Sequence, residues 1–145
     1  MPICSRIAPP ILAGLIALGL TALWLPSARA ANPPRIEYVL VLDAHGKPRT
    51  YFQPGAKVGF RVELYLTERS AAGAKTVWRA WIGKHTLLAR TIHGRFHGPT
   101  RGNLFTQTET IKLSRHALAG AYTVRVSIAV RGRHLSRTAH FWVRG

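Results

Sequence analysis

The sequence is short of the residues that build covalent and catalytic sites. Its only cysteine is Cys4, so residues 5–145 can form no internal disulfide, thiol nucleophile or cysteine-ligated metal site. It also contains no G-x-S-x-G motif, no H-E-x-x-H motif and no glycine-rich phosphate loop. These absences exclude the commoner hydrolase, metalloprotease and nucleotide-binding signatures. We therefore expect a protein that is not an enzyme and has no cofactor.

Acidic residues are scarce as well. Five Asp and Glu stand against 21 Lys and Arg, which gives a net charge of +16. The five acids are Glu37, Asp43, Glu63, Glu68 and Glu109. Paired carboxylates for glycoside or general acid–base chemistry must converge on a cleft. The four glutamates fall on or at the ends of predicted strands, and we interpret them as ion-pair partners of arginine.

Residues 1–30 have the parts of a secretory signal peptide in the right order. Arg6 precedes an uncharged apolar run, Ile11–Leu25, and Ala28-Arg29-Ala30 ends in the small residues that signal peptidase needs. The alternative is an uncleaved anchor, but a spanning helix needs about 20 apolar residues and Pro9-Pro10 blocks an upstream extension. We expect cleavage after Ala30, a periplasmic or secreted product, and no contact with the membrane after cleavage.

The expected mature chain is strongly basic. Without Arg6 and Arg29 it keeps 19 cations against five acids, a net charge of +14. Such a charge favours adhesion to polyanions, and the expected partners are an anionic polysaccharide, a lipid headgroup or an envelope protein. Adaptation to acidic surroundings is an equally good explanation. The cations are scattered and no nucleic-acid motif is present, so no specific nucleic-acid partner is expected.

The chain after a short leader, 31–34, predicts one all-β domain over 35–145. Alternating runs separated by Gly, Pro and Asn turns are typical of a sandwich or barrel. The pattern predicts seven strands: Ile36–Leu42, Lys57–Thr67, Thr76–Ile82, Thr86–Ile92, Leu104–Leu113, Ala121–Val130 and Leu135–Val143. The strands at 57–67 and 121–130 show the clearest period of two.

Several of these segments resemble immunoglobulin-like and fibronectin-type sandwiches. The segment Leu118-Ala-Gly-Ala-Tyr122 before a valine-rich strand resembles a tyrosine corner, Trp78 lies on the third predicted strand, and the last strand ends Phe141-Trp-Val143. The resemblance implies a seven-stranded antiparallel Ig-like β-sandwich in which Tyr122, Trp78 and Gly120 are structural. The inter-sheet cysteine pair of true Ig domains is absent, and the fold alone implies no function.

A second resemblance concerns metal binding. The ending Tyr122…Arg131-Gly-Arg-His134…Phe141-Trp-Val143 is similar to that of periplasmic copper-binding proteins of the copper-resistance type. Those usually begin the mature chain with a histidine ligand, whereas this one begins Ala-Asn-Pro-Pro. The alternative function is thus periplasmic copper handling by histidines, with His93, His97 and His134 as candidate ligands. Solvated histidines that bind no metal are the plainer interpretation.

The tryptophans predict a binding patch. On the strand at 76–82 only one of Trp78 and Trp81 can face the core, and the small and aliphatic neighbours of Trp78 favour Trp78. Trp81 would then face outward beside arginine, on a surface shared with the last two strands. The predicted patch contains Arg79, Trp81, Arg125, Arg131, His140 and Trp142. The alternatives are that Trp81 is core or that the 93–103 loop covers the tryptophans.

Overall fold

The computed structural model describes residues 32–67 and 70–145. Apart from one turn of 3-10 helix at Arg101–Asn103, every regular element in these ranges is a β-strand. The strands are β1 (Arg35–Leu42), β2 (Tyr51–Phe52), β3 (Lys57–Tyr65), β4 (Lys75–Ile82), β5 (His85–His93), β6 (Leu104–Lys112), β7 (Gly120–Val130) and β8 (Arg133–Val143). The predicted signal peptide lies outside the described residues. Within them, no helix is long and apolar enough to cross a membrane.

The strands form two sheets, so the all-β prediction is confirmed. One sheet has the order β1-β3-β6 and the other the order β2-β8-β7-β4-β5. They pack face to face: the Phe60 ring on β3 stacks on the Trp78 ring on β4 at a centroid distance of 6.2 Å. Phe141 on β8 contacts the same Phe60 ring at 5.8 Å.

The expected count of seven strands and the wholly antiparallel arrangement are wrong. All seven predicted strands are present with ends within two residues of the prediction, but β2 is an eighth. β2 pairs with β8 in parallel, with Tyr51 beside Trp142 and Phe52 beside Val143. Two residues are too few to show an alternation, and the Tyr-Phe pair lies between Pro48 and Pro54, which limit the length of a strand.

Alternation decides which side chains enter the core. On β3 the side chains of Val58, Phe60, Val62 and Leu64 are completely buried. On β7 the buried set is Tyr122, Val124, Val126, Ile128 and Val130. Because successive residues of a strand point to opposite faces, the residues between these positions form the outer faces of the two sheets. The outer face of the five-stranded sheet is the surface that concerns function.

A polar bridge connects the two sheets inside the core. The Trp78 side chain is fully buried, and its indole N–H donates to Gln107 Oε1 on β6 at 3.1 Å. The Gln107 amide nitrogen donates in turn to the Gly94 carbonyl at 2.8 Å. A buried indole N–H needs such a partner. With Trp78 held inward, the strand period turns Arg79 and Trp81 outward.

The connection into β7 is closed by Tyr122. This side chain is buried, and its hydroxyl donates to the Leu118 carbonyl at 3.0 Å. Burial raises the pKa of the Tyr122 hydroxyl. Gly120 has a φ of 134°, a conformation that other residues rarely adopt, and a Cβ there would lie 3.1 Å from Ile82 Cδ1. Both residues thus occupy structural positions at the start of β7.

Candidate binding site on the five-stranded sheet

The outer face of the five-stranded sheet, which we call the basic face, is organised by its strand register. Arg79 on β4 lies directly opposite Arg125 on β7, and Arg125 lies opposite Thr138 on β8. The next outward-facing row, two residues further along each strand, contains Trp81 on β4, Thr123 on β7 and His140 on β8. The next row contains Ala121, Trp142 and Tyr51. The basic face therefore places arginines in one row and aromatic residues in the two rows beside it.

A groove runs along this face beside the arginine pair. It has a volume of about 620 Å³. Its lining residues are Val77, Arg79, Trp81, Gly83, Lys84, Thr86, Arg125 and Ser127. A second depression of about 340 Å³ shares Val77 and Ser127 with it and extends toward His134. The two depressions form one trough across β4, β7 and β8.

The arginine pair is the main electrostatic feature of the groove. Like charges directly opposite each other on neighbouring strands destabilise a sheet. The Arg125 guanidinium carbon lies 5.7 Å from the centre of the Trp81 ring, within the range of a cation–π contact. Trp81 is partly buried and lines the groove. It is therefore not one of the buried core residues.

A second aromatic site lies at the opposite edge of the basic face. Trp142 is 39% exposed and Tyr51 is 48% exposed. Their ring centroids are 5.8 Å apart and the rings are tilted by 36°. The Arg144 guanidinium carbon lies 4.3 Å from the centre of the Tyr51 ring. This site combines apolar ring surface with a positive charge.

Polar side chains lie on both sides of the arginine row. Between the two aromatic sites, Thr123 Oγ1 and His140 Nδ1 are 3.3 Å apart. On the other side of the arginine row, the Ser127 and Ser136 hydroxyls are 3.4 Å apart. These groups can donate or accept hydrogen bonds, so they can contact a polar ligand that lies across β7 and β8.

The charge of the two sheets differs sharply. Of the four acids that the structure describes, Glu37, Glu63 and Glu109 lie on the three-stranded sheet and Asp43 in the turn after β1. Two ion pairs form among the described residues, Arg35 with Glu37 and Arg90 with Glu109. Neither involves the arginine pair of the groove. The basic face therefore carries cations with no carboxylate on its own sheet.

Five of the six predicted patch residues lie on the basic face: Arg79, Trp81, Arg125, His140 and Trp142. Arg131 does not belong with them. It lies in the β7–β8 turn, and Trp142 is nine residues along β8 from Arg133, about 30 Å away at the rise of a strand. Sequence reasoning placed Ser127 on this outer face but missed Tyr51 and Lys84, because the two-residue strand β2 and the β4–β5 turn show no alternation.

The candidate histidine ligands are not brought together. His93 ends β5, His97 pairs with Thr106 on β6, and His134 lies near the start of β8. Across residues 32–67 and 70–145, no three His, Asp or Glu side chains are close enough to hold a metal ion. The structure therefore offers no assembled site in these ranges for the copper alternative.

Comparison with known proteins gives a fold and no family. No family model matches the chain, and no curated protein matches it by sequence. Among solved structures, the C-terminal domain of Wzt is similar at a TM-score of 0.53 and 10% identity, with 77% of this chain and 74% of that chain covered. This likeness supports the two-sheet β architecture and nothing finer.

Two further matches are more distant. The alkylpurine DNA glycosylase AlkC of Pseudomonas fluorescens, solved with DNA containing an abasic site analogue, has a TM-score of 0.49 at 14% identity. It covers 77% of this chain, which spans only 30% of the glycosylase chain. A superoxide reductase (neelaredoxin) of Ignicoccus hospitalis has a TM-score of 0.42 at 13% identity, with 79% and 82% covered. Neither carries an argument about function.

Proposed function

We propose that this chain is an exported, non-catalytic binding module with an Ig-like sandwich, and that its basic face binds an anionic glycan. The observation that carries the proposal is the opposed pair Arg79 and Arg125 beside Trp81, in a groove on a sheet whose strands contain no described acid. The proposal includes export, for which the signal at residues 1–30 is the support; the secreted protein would begin at Ala31.

The arginine pair supports an anionic ligand. Arg79 and Arg125 are directly opposed across β4 and β7, an arrangement of like charges that is unfavourable in a sheet, and no carboxylate on the strands of the same sheet offsets it. A bound carboxylate or sulfate would accept hydrogen bonds from both groups, and guanidinium forks suit bidentate contacts to such anions. Binding an anion between the strands thus removes an unfavourable interaction and adds a favourable one.

The rest of the groove supports a sugar over a lipid headgroup or a protein. Trp81, Ser127 and Thr86 all line the groove, so its surface offers an indole ring and two hydroxyls. A sugar ring has an apolar face that can lie on an indole and hydroxyls that can bond to short polar side chains. Most of the residues that line the groove are charged or carry a hydroxyl, which suits a sugar better than an acyl chain. None of the described carboxylates lies there, which favours binding over acid–base chemistry.

The test is retention on an immobilised sulfated glycan. Arg79→Ala and Arg125→Ala should each elute from heparin at clearly lower salt than the parent. Each should weaken binding in solution by roughly ten- to a hundredfold, because a hydrogen bond to a charged group contributes about 1.5–3 kcal/mol. Arg101→Ala is the matched control, since Arg101 is exposed in the 3-10 turn beside the end of β3 and away from the groove.

Two results would overturn the proposal. In the first, the groove variants and the Arg101 control elute at the same salt concentration, which would mean that retention on heparin depends only on net charge. In the second, the parent binds vesicles of anionic phospholipid and the groove variants lose that binding, while none of them differs on heparin. Thermal unfolding of each variant must match the parent, so that a loss of retention reports binding and not stability.

A further inference from the structure

The Tyr51–Trp142 pair points to a second subsite that the arginine groove does not contain. We infer that this pair stacks a separate ring of the same ligand, so that the ligand is a linear acidic polysaccharide extending across the basic face rather than a single charged sugar. The inference rests on the proposed function.

The pair is held in place by the short parallel strand β2. The Trp142 backbone N–H donates to the Thr50 carbonyl at 2.8 Å, and the Arg144 N–H donates to the Phe52 carbonyl at 3.0 Å. Phe52, the neighbour of Tyr51, is buried against Phe141 with ring centroids 5.7 Å apart. Because Phe52 is anchored in the core, Tyr51 must point outward next to Trp142. The two exposed rings are thus preorganised rather than loosely placed.

The separation of the two subsites determines the length of the ligand. Thr138, the partner of Arg125, precedes Trp142 by four residues on the same strand, so the arginine row and Trp142 are about 14 Å apart along the strand. Trp81 and Trp142 are two strands and two residues apart, about 12 Å along the diagonal. Both spacings, which are between backbone positions, are longer than one sugar ring, so we expect a monosaccharide at the arginine pair to leave Trp142 free. A chain of several rings can contact both.

Charge at the second subsite matches an acidic chain. Arg144 stacks on Tyr51, so a cation accompanies the exposed rings. Between the subsites lie Ala121, Thr123 and His140, and the last two supply hydrogen-bonding groups. The sequence of features along the face is therefore arginines, a polar floor, and rings with an arginine. That order fits a polymer that alternates or repeats anionic groups on sugar rings.

The experiment compares oligomers of one uronic acid by titration calorimetry. The probes are a galacturonic acid trimer, a hexamer, and an inorganic polyphosphate that matches the charge of the hexamer and has no rings. We expect the parent to bind the hexamer roughly tenfold more tightly than the trimer. Trp142→Ala and Tyr51→Ala should remove most of that gain and leave the affinities for the trimer and the polyphosphate within twofold of the parent.

The controls separate ring stacking from a general loss of surface. Tyr38→Ala is matched to Tyr51→Ala, since Tyr38 is 55% exposed on β1 of the other sheet; it should keep the full gain with the hexamer. Trp142→Phe keeps a ring and should retain part of the gain. Since both target side chains are exposed, melting temperatures close to that of the parent are expected for all variants.

The outcomes distinguish this inference from the proposed function. If the hexamer keeps its advantage in Trp142→Ala and Tyr51→Ala, or if polyphosphate binding falls equally, the second subsite is wrong. If Arg79→Ala abolishes uronate binding and the hexamer shows no advantage in the parent, the proposed function stands and this inference falls. If the parent binds neither oligomer and does not bind heparin, both are overturned.

Discussion

The buried bridge between Trp78 and Gln107 allows a sharp test of how the two sheets are held together. Gln107 is 2% exposed and satisfies two groups at once, the indole N–H of Trp78 and the carbonyl of Gly94. Gln107→Leu keeps a similar volume but leaves both groups without a partner. A buried polar group that loses its partner costs about 1–3 kcal/mol, so the variant should lose about 2–4 kcal/mol of unfolding free energy, the added apolar burial offsetting part of the loss.

A double-mutant cycle isolates the bond itself. Trp78→Phe removes the indole N–H and leaves a smaller ring, so its loss combines a cavity with the lost hydrogen bond. In Trp78→Phe/Gln107→Leu the orphaned N–H is gone, and the losses should fall short of additivity by about 1 kcal/mol or more. Urea unfolding followed by circular dichroism measures all four proteins. A stability of Gln107→Leu within about 0.5 kcal/mol of the parent would refute the reasoning, because two buried groups would then have cost nothing.

Two other substitutions test single side chains of the core. Tyr122→Phe removes the hydroxyl that donates to the Leu118 carbonyl, and we expect it to cost about 1 kcal/mol or somewhat more in urea unfolding; equal stability would mean that the corner contributes nothing. Thr76→Val removes a hydroxyl that is fully buried on β4 and has no hydrogen-bond partner. Because an unsatisfied buried hydroxyl is unfavourable, this variant should be as stable as the parent or up to about 1 kcal/mol more stable. A clear loss of stability would show that the hydroxyl has a partner after all.

The strands could be predicted from the sequence wherever a segment places apolar side chains on one face and polar side chains on the other. β3 and β7 place four or five apolar side chains at every second position, and that pattern determines which side chains face the core. The orientation of Trp78 followed from the same rule, since Ala80 and Ile82 share its parity and Arg79 does not. Local periodicity was sufficient for these features because burial on one face is a local property of a strand.

Features that depend on distant pairing could not be predicted in this way. β2 exists only because Tyr51 and Phe52 meet the far end of β8, 91 residues later in the chain. The resemblance to Ig-like sandwiches implies that the third predicted strand lies beside the last two, and β4 does lie next to β7. The register that places Arg79 opposite Arg125 is not displayed by the sequence. Arg131 is an even number of residues from Arg125, so alternation assigns it to the same face. Alternation does not say how far apart two residues lie along a strand, and Arg131 lies at the other end of the sheet. The site is therefore a product of sheet order, which sequence patterns specify weakly.

The absence of acids from the basic face leads to a last prediction. Thr138 is exposed on β8 directly opposite Arg125, and its outward side chain does not enter the core. A glutamate there would offset the repulsion between the two arginines, so nothing in the packing requires the face to lack a carboxylate. Thr138→Glu should be more stable than the uncharged control Thr138→Gln by about 0.2–1 kcal/mol, the range of cross-strand pairs. It should also bind heparin or acidic oligosaccharides more weakly, because the new carboxylate occupies the arginines that the ligand needs. A gain in stability together with a loss of binding is expected where a binding site contains an arrangement of charges that is unfavourable in the free protein.

If Thr138→Glu is no more stable than Thr138→Gln, the arginines do not repel each other appreciably. If its heparin affinity is unchanged, Arg125 does not contact the ligand.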